Sequence, residues 1–143
     1  MNLYISYLLL YCQSFNTPTI PLQVEITHIK TPKGILRIGI FVENSTFGTA
    51  FSKPSFGHVV EINSLRTQRF TINLPQGKYS LALYHDINNN GKLDLNWFGY
   101  PKEPFAFSNN YRPVFRGPHF KECEFDMRAD GVNSLKIKLL AGF

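Results

Sequence analysis

The chain has 143 residues, the size of one domain, and needs neither disulfides nor metal ions to bury a core. Hydrophobic residues make up 43% of it and charged residues 17%, a composition that excludes an intrinsically disordered protein. The net charge is +5, but acidic Glu122, Glu124 and Asp126 lie within the densest basic group, residues 112–128. A nucleic-acid-binding face would contain few acids, so we predict no nucleic-acid binding.

The first residues contain a short apolar run, residues 3–11. It is well below the roughly 20 residues that span a bilayer, so we predict no transmembrane segment. The run resembles the apolar core of a secretory signal peptide, although no Lys or Arg precedes it and no small-x-small cleavage site follows. The alternative is an ordinary N-terminal strand or a frayed tail. We divide the chain into residues 1–16, a degenerate signal segment or tail, and residues 17–143, a single β-sandwich domain.

The two cysteines, Cys12 and Cys123, lie in no CxxC motif and in no Cys/His cluster. A zinc site is therefore not expected. A disulfide between the two stays open, although Cys12 lies in the first residues, outside the predicted domain.

Alternating apolar and polar residues, separated by Gly, Pro and Asn, predict short strands joined by turns. No segment carries a sustained helical period with caps. We therefore predict an all-β fold, a seven-stranded antiparallel β-sandwich of the immunoglobulin or transthyretin kind, with one long loop between strands 5 and 6. The predicted strands are residues 23–29, 35–42, 58–62, 68–74, 79–84, 119–127 and 133–139.

The long loop begins with the spacing of a calcium-binding loop. Oxygen-bearing side chains stand at positions 1, 3, 5 and 9 of the loop, and Gly91 stands where the pattern D-x-[DN]-x-[DN]-G requires a sharp turn. Ca²⁺ prefers several oxygen ligands, and the carbonyl of Lys92 would supply one of them. Trp97 occupies the position of the usual bidentate Glu, so Glu103 or Asn96 would have to complete the shell. The predicted metal ligands are Asp86, Asn88, Asn90, Lys92, Asp94 and Glu103.

Two interpretations of this loop are about equally supported. With only Asp86 and Asp94 carrying negative charge inside it, a Ca²⁺ site would be weak, with a dissociation constant of about 10⁻⁴–10⁻³ M. Alternatively the loop is only a turn, because Asn and Gly both tolerate a positive φ and an Asp can cap backbone amides without a metal.

Four motifs stand in the second half of the chain: LYHDINNNGKLD at residues 83–94, FGYPKE at 98–103, FSNN at 107–110 and GPHF at 117–120. Together they resemble the motifs of the domain of unknown function 2141 family (DUF2141). The resemblance implies a bacterial, β-rich protein that is secreted or periplasmic, and no established activity. The chain departs from the family pattern at Ala106, where Gly is common, at Ile87, where an acid is frequent, and at Tyr100.

The same region is rich in aromatic residues, which either form a platform for a protein or carbohydrate ligand or pack as a small core under the loop. We favour packing, because so long a loop needs apolar anchors. They are Trp97, Phe98, Tyr100, Phe105, Phe107 and Tyr111.

The sequence thus favours a secreted or periplasmic binding or structural module of the cell envelope rather than an enzyme. The alternative is a hydrolase of cell-envelope polymers that uses Asp94 and Glu103 as paired carboxylates.

Overall fold

The computed structural model describes residues 17–43, 47–48 and 53–143, and these contain eight strands and two short helical segments. The predicted signal segment, Cys12 and half of the predicted loop at 44–57 lie outside the described residues. No helix in the described ranges is long and apolar enough to cross a membrane. The strands are β1 (Thr19–Ile29), β2 (Ile35–Phe41), β3 (Phe56–Glu61), β4 (Arg66–Pro75), β5 (Gly77–Asp86), β6 (Phe105–Phe107), β7 (Phe125–Met127) and β8 (Asn133–Lys138). The helical segments are a 3₁₀ turn (Ser108–Asn110) and α1 (Phe120–Cys123).

The strands form two sheets, which confirms the all-β class. The smaller sheet has the order β4-β1-β8, and the larger has the order β3-β2-β5-β6, with β7 also paired to β5. The main core takes side chains from both sheets, among them Ile26 of β1 and Leu81 of β5, each 0% exposed. Alternation along β4 is as predicted: Ile72 and Leu74 are buried while Thr71 is exposed.

Two details of the predicted architecture are wrong. The described residues form eight strands rather than seven, because β6 forms within the segment predicted to be one long loop. The sheets are also not wholly antiparallel, since β1 pairs with β8 in parallel, from Leu22 opposite Asn133 to Thr27 opposite Lys138. Parallel neighbours must be joined by a crossover, and here almost the whole domain forms that connection.

The predicted sixth strand, residues 119–127, is also wrong in its first half. It forms α1 and only then β7. The Glu122 side chain accepts a 2.7 Å hydrogen bond from the His119 amide, which caps the start of the helix. Cys123 is buried in a second cluster with Phe41 and Phe47, so the apolar residues of this segment serve two different clusters.

The register between β2 and β5 positions loop 86–94, which has the spacing of a calcium-binding loop. Ile35 lies opposite Asp86, and Arg37 lies opposite Tyr84. Because side chains alternate along a strand, Arg37 and Asp86 emerge on the same face of the sheet, and His85 points to the other face.

Candidate functional site

The candidate site is loop 86–94, which begins at the last residue of β5. Asp86 is fully buried, and its Oδ2 accepts a 2.6 Å hydrogen bond from Nε of Arg37. The same carboxylate accepts the amides of Asn90, at 3.0 Å, and of Gly91, at 2.9 Å. Gly91 has a φ of +85°, as its predicted turn role requires. Asp86 therefore fixes the curl of the loop through three donors.

These donors also control the charge of Asp86. Burial raises the pKa of this carboxyl, but hydrogen bonds from Arg37, Gly91 and Asn90 together outweigh burial and hold the pKa below its ordinary value. Asp86 is thus ionised, and Arg37 already supplies a compensating positive charge at the first position of the loop.

Two of the other predicted ligands, Asn88 and Asn90, converge on Asp94, whereas no hydrogen bond among the described residues places the Lys92 carbonyl there. Its carboxylate accepts the side-chain amide of Asn88 at 2.7 Å and that of Asn90 at 3.0 Å. These hydrogen bonds lower the pKa of Asp94. The oxygens of the two Asn side chains accept backbone amides, Asn90 to Asn88 at 3.2 Å and Lys92 to Asn90 at 3.1 Å. The side chains at the third, fifth and ninth positions therefore form one hydrogen-bonded group, and the backbone amide of Asn90 links it to Asp86 at the first.

Glu103 closes the loop from outside, as the sequence-based hypothesis required of it. It is only 6% exposed, and its carboxylate accepts the amides of Ile87, at 3.1 Å, and of Asp94, at 3.2 Å. Asn96, the alternative candidate, does not reach the loop. Its Oδ1 instead accepts the amides of Phe98 and Tyr100 in the next turn.

The candidate ligands in and beside the loop are all oxygens, with no His or Cys among them. In the described part of the chain, no group of three or more His, Cys, Asp and Glu side chains could hold a metal ion. An ion in loop 86–94 would therefore depend on Asn and backbone oxygens beside the two carboxylates, which are hard ligands.

Replacing Glu103 with Gln is expected to lower the free energy of unfolding by about 1–3 kcal/mol, because the new NH₂ group faces a buried backbone amide and leaves it unpaired. Urea unfolding measures the loss, and amide hydrogen exchange is expected to quicken at Ile87 and Asp94. The matched control is Glu61→Gln, since Glu61 is exposed on β3 and should change stability by less than about 0.5 kcal/mol. Equal losses in the two variants would show that Glu103 does not hold the loop.

His85 takes no part in this group. It is fully buried on the opposite face, and its Nε2–H donates to the carbonyl oxygen of Lys33 at 2.6 Å. His85 and Asp86 are neighbours in β5, so their side chains point to opposite faces and do not pair with each other.

The FSNN element, residues 107–110, connects β5, the residue before β7, and β8 through side-chain hydrogen bonds. The Ser108 hydroxyl accepts the amide of Leu81 at 2.9 Å, between the parts of β5 that pair with β6 and with β7. Asn109 donates to the carbonyl of Glu124, and Asn110 exchanges hydrogen bonds with the backbone of β8. Short polar side chains at these three successive positions can therefore bond directly to the backbone of neighbouring segments.

The aromatic residues divide into two groups. Phe105 is buried, and Phe107 and Tyr111 are partly buried and contact each other, so the packing interpretation holds for them. It is wrong for Trp97 and Phe98, which are 95% and 82% exposed, and for Tyr100, which is 49% exposed and contacts Phe143.

Comparisons with known proteins agree with the motifs. A search of curated proteins and a search of solved structures each found no match. A family model described as "Uncharacterized protein conserved in bacteria (DUF2141)" matches residues 24–135, a range that includes most of the domain and all of the candidate site. The chain therefore belongs to the DUF2141 family.

Proposed function

We propose that the protein is an exported binding or structural module of the cell envelope in which Ca²⁺ binds loop 86–94. The observation that carries the proposal is that the side chains of four predicted ligands lie close together. Asn88 and Asn90 donate to the carboxylate of Asp94, and the backbone amide of Asn90 donates to both Asp86 and Asn88. Glu103 lies against the same loop. Ca²⁺ sites need this kind of clustered oxygen donors.

The ion would rearrange hydrogen bonds rather than create the loop. Oδ1 of Asp86 accepts one backbone amide, and a carboxylate oxygen has room for a second partner. The side chains of Asn88 and Asn90 present nitrogen to Asp94, so each would turn its oxygen to the ion. Arg37 competes for Asp86 as a cation. Both features favour weak affinity, about 10⁻⁴–10⁻³ M.

Export fits this affinity, because calcium reaches such concentrations outside the cytoplasm. The apolar run at residues 3–11 also supports a secreted or periplasmic location. The immunoglobulin- or transthyretin-like sandwich belongs to the same proposal and rests on two sheets sharing one core. The alternative, hydrolysis by Asp94 and Glu103, has less support, because Glu103 is only 6% exposed and a catalytic carboxyl must reach the polymer it cleaves.

Calcium is expected to raise the thermal unfolding midpoint of the full chain. We would compare unfolding in EDTA with unfolding in about 5 mM CaCl₂, several times the expected dissociation constant. Such an excess adds about 1 kcal/mol, which is a rise of several degrees for a domain of this size. The same concentration of MgCl₂ should have less effect, because Mg²⁺ requires a stricter octahedral shell.

Asn88→Ala removes one predicted ligand and should abolish most of this rise. The matched control is Asn73→Ala, because Asn73 is exposed on β4, away from the loop. No calcium-dependent rise in the parent chain, or a rise of equal size in Asn88→Ala, would mean that loop 86–94 is a turn without an ion.

A further inference from the structure

Directly after loop 86–94, a tight turn carries two exposed aromatic side chains. In this turn, residues 95–101, Leu95 pairs with Pro101, and the amide of Asn96 donates to the carbonyl of Tyr100 at 2.8 Å. Trp97 and Phe98 project from the tip and are 95% and 82% exposed. Side chains this large and apolar rarely stay in water without a role when they stand together.

The backbone of turn 95–101 is largely satisfied from within. Oδ1 of Asn96 accepts the amides of Phe98, at 2.9 Å, and of Tyr100, at 3.0 Å. The amide of Gly99 donates to the Asn96 carbonyl at 3.0 Å. A tip whose amides are already bonded can leave water at small cost, whereas unpaired amides would oppose its entry into an apolar medium.

The exposed charged side chains beside the turn are basic: Lys92 and Lys102. The neighbouring carboxylates are less accessible and already bonded. Asp94 is half-buried and accepts Asn88 and Asn90, Asp86 is buried and paired with Arg37, and buried Glu103 accepts two backbone amides. The aromatic tip is therefore flanked by positive charge on a chain of net charge +5.

We propose that turn 95–101 docks on an anionic phospholipid surface, with Trp97 and Phe98 at the level of the headgroups and Lys92 and Lys102 beside the lipid phosphates. Trp is favoured at this depth because its ring is apolar and its N–H is polar. Basic residues next to the membrane add attraction to anionic lipid. A sugar or peptide site would be concave, whereas these side chains stand on a protruding tip.

The inference goes beyond the proposed function and does not invoke the ion. Docking is therefore expected in EDTA as well as in CaCl₂. A calcium-dependent rise in thermal stability without vesicle binding would leave the proposed ion site standing and overturn the docking.

The chain has a single tryptophan, Trp97, so its fluorescence reports directly on the tip. The full chain would be titrated with vesicles of equimolar phosphatidylcholine and phosphatidylglycerol, and with vesicles of phosphatidylcholine alone. We expect a blue shift and quenching by brominated lipid with the anionic vesicles, weakened by salt. An unchanged spectrum with the anionic vesicles would overturn the proposal, as would a shift caused by an oligosaccharide or a peptide instead.

Variants then distinguish vesicle binding through Trp97 and Phe98 from non-specific binding through other exposed side chains. Vesicle sedimentation should show binding reduced about tenfold or more in Trp97→Ala/Phe98→Ala, and about fivefold on anionic vesicles for each of Lys92→Gln and Lys102→Gln. The matched control is Phe115→Ala, since Phe115 is 97% exposed in another loop. Binding lost equally in Phe115→Ala, or retained in the double variant, would overturn docking by this turn.

Discussion

Replacing Arg37 with Met will lower the free energy of unfolding by about 3 kcal/mol, because it leaves the carboxylate of Asp86 buried without its cationic partner. Asp86 is 0% exposed and Arg37 29% exposed, so water cannot readily replace the guanidinium at Oδ2. Met keeps most of the packing of the aliphatic stem. Urea unfolding of the two chains at neutral pH measures the difference.

A surface pair of the same length provides the control. Arg69 and Glu25 also approach to 2.6 Å, but the Arg69 side chain is 74% exposed. Arg69→Met should therefore cost less than about 1 kcal/mol. Adding Asp86→Asn to Arg37→Met should recover part of the loss by removing the buried charge. Equal losses in Arg37→Met and Arg69→Met would show that burial does not make the first pair special.

The pH dependence of Arg37→Met gives a second measurement. The pKa of Asp86 is lowered in the folded chain, so its ionised form stabilises the fold above the unfolded pKa of about 3.9. This stabilisation is lost as the pH falls through the lowered pKa of the folded state. The stability difference between the parent chain and Arg37→Met should therefore be full at neutral pH and shrink in acid.

Replacing Gly34 with Ala will have an effect of similar size, again about 3 kcal/mol or more, because the added Cβ has no space. Gly34 has a φ of +76°, which strains any L side chain. A Cβ there would lie 2.1 Å from the carbonyl oxygen of Asp86 and 2.7 Å from Cα of Ile87. The clash is with backbone, so the start of loop 86–94 must move and the Ile87–Glu103 hydrogen bond must weaken. Thermal and urea unfolding both measure this loss.

Gly99→Ala is the matched control for Gly34→Ala. Gly99 has a similar φ, +82°, but an added Cβ there would meet no other atom within 4 Å. The substitution should cost only the backbone strain, about 1–2 kcal/mol. If Gly34→Ala cost no more than Gly99→Ala, the close approach of the β1–β2 turn to Asp86 would not contribute to stability.

The strands that the sequence predicts well are those with one buried and one exposed face. β4 and β8 show strict alternation, and both form close to the predicted bounds. β6 has only three residues, too few for a period of two to be visible. The strand predicted at residues 119–127 was wrong in its first half because a local cap between Glu122 and His119 favours a helical turn. In addition, a pattern along the sequence does not show that Cys123 belongs to a separate cluster.

In the site too, contacts between residues close in the sequence were predictable and contacts between distant residues were not. The spacing of Asp86, Asn88, Asn90 and Asp94 predicts their convergence, because the turn that brings them together lies within the same few residues. Arg37 was missed, since 49 positions separate it from Asp86 and only the register of β2 with β5 brings the two together. Interactions between distant strands depend on the tertiary pairing, which a single sequence does not display.

The parallel pairing of β1 with β8 has a kinetic consequence. Residue 22 meets residue 133, so the smaller sheet closes through contacts very distant along the chain. Contacts of this kind form slowly, since much chain entropy is lost before they stabilise anything. During synthesis or translocation, β1 has only β4 as a neighbour until β8 emerges, and its second edge stays open. An open edge is a site of aggregation, so folding of this domain would gain most from a chaperone that shields β1.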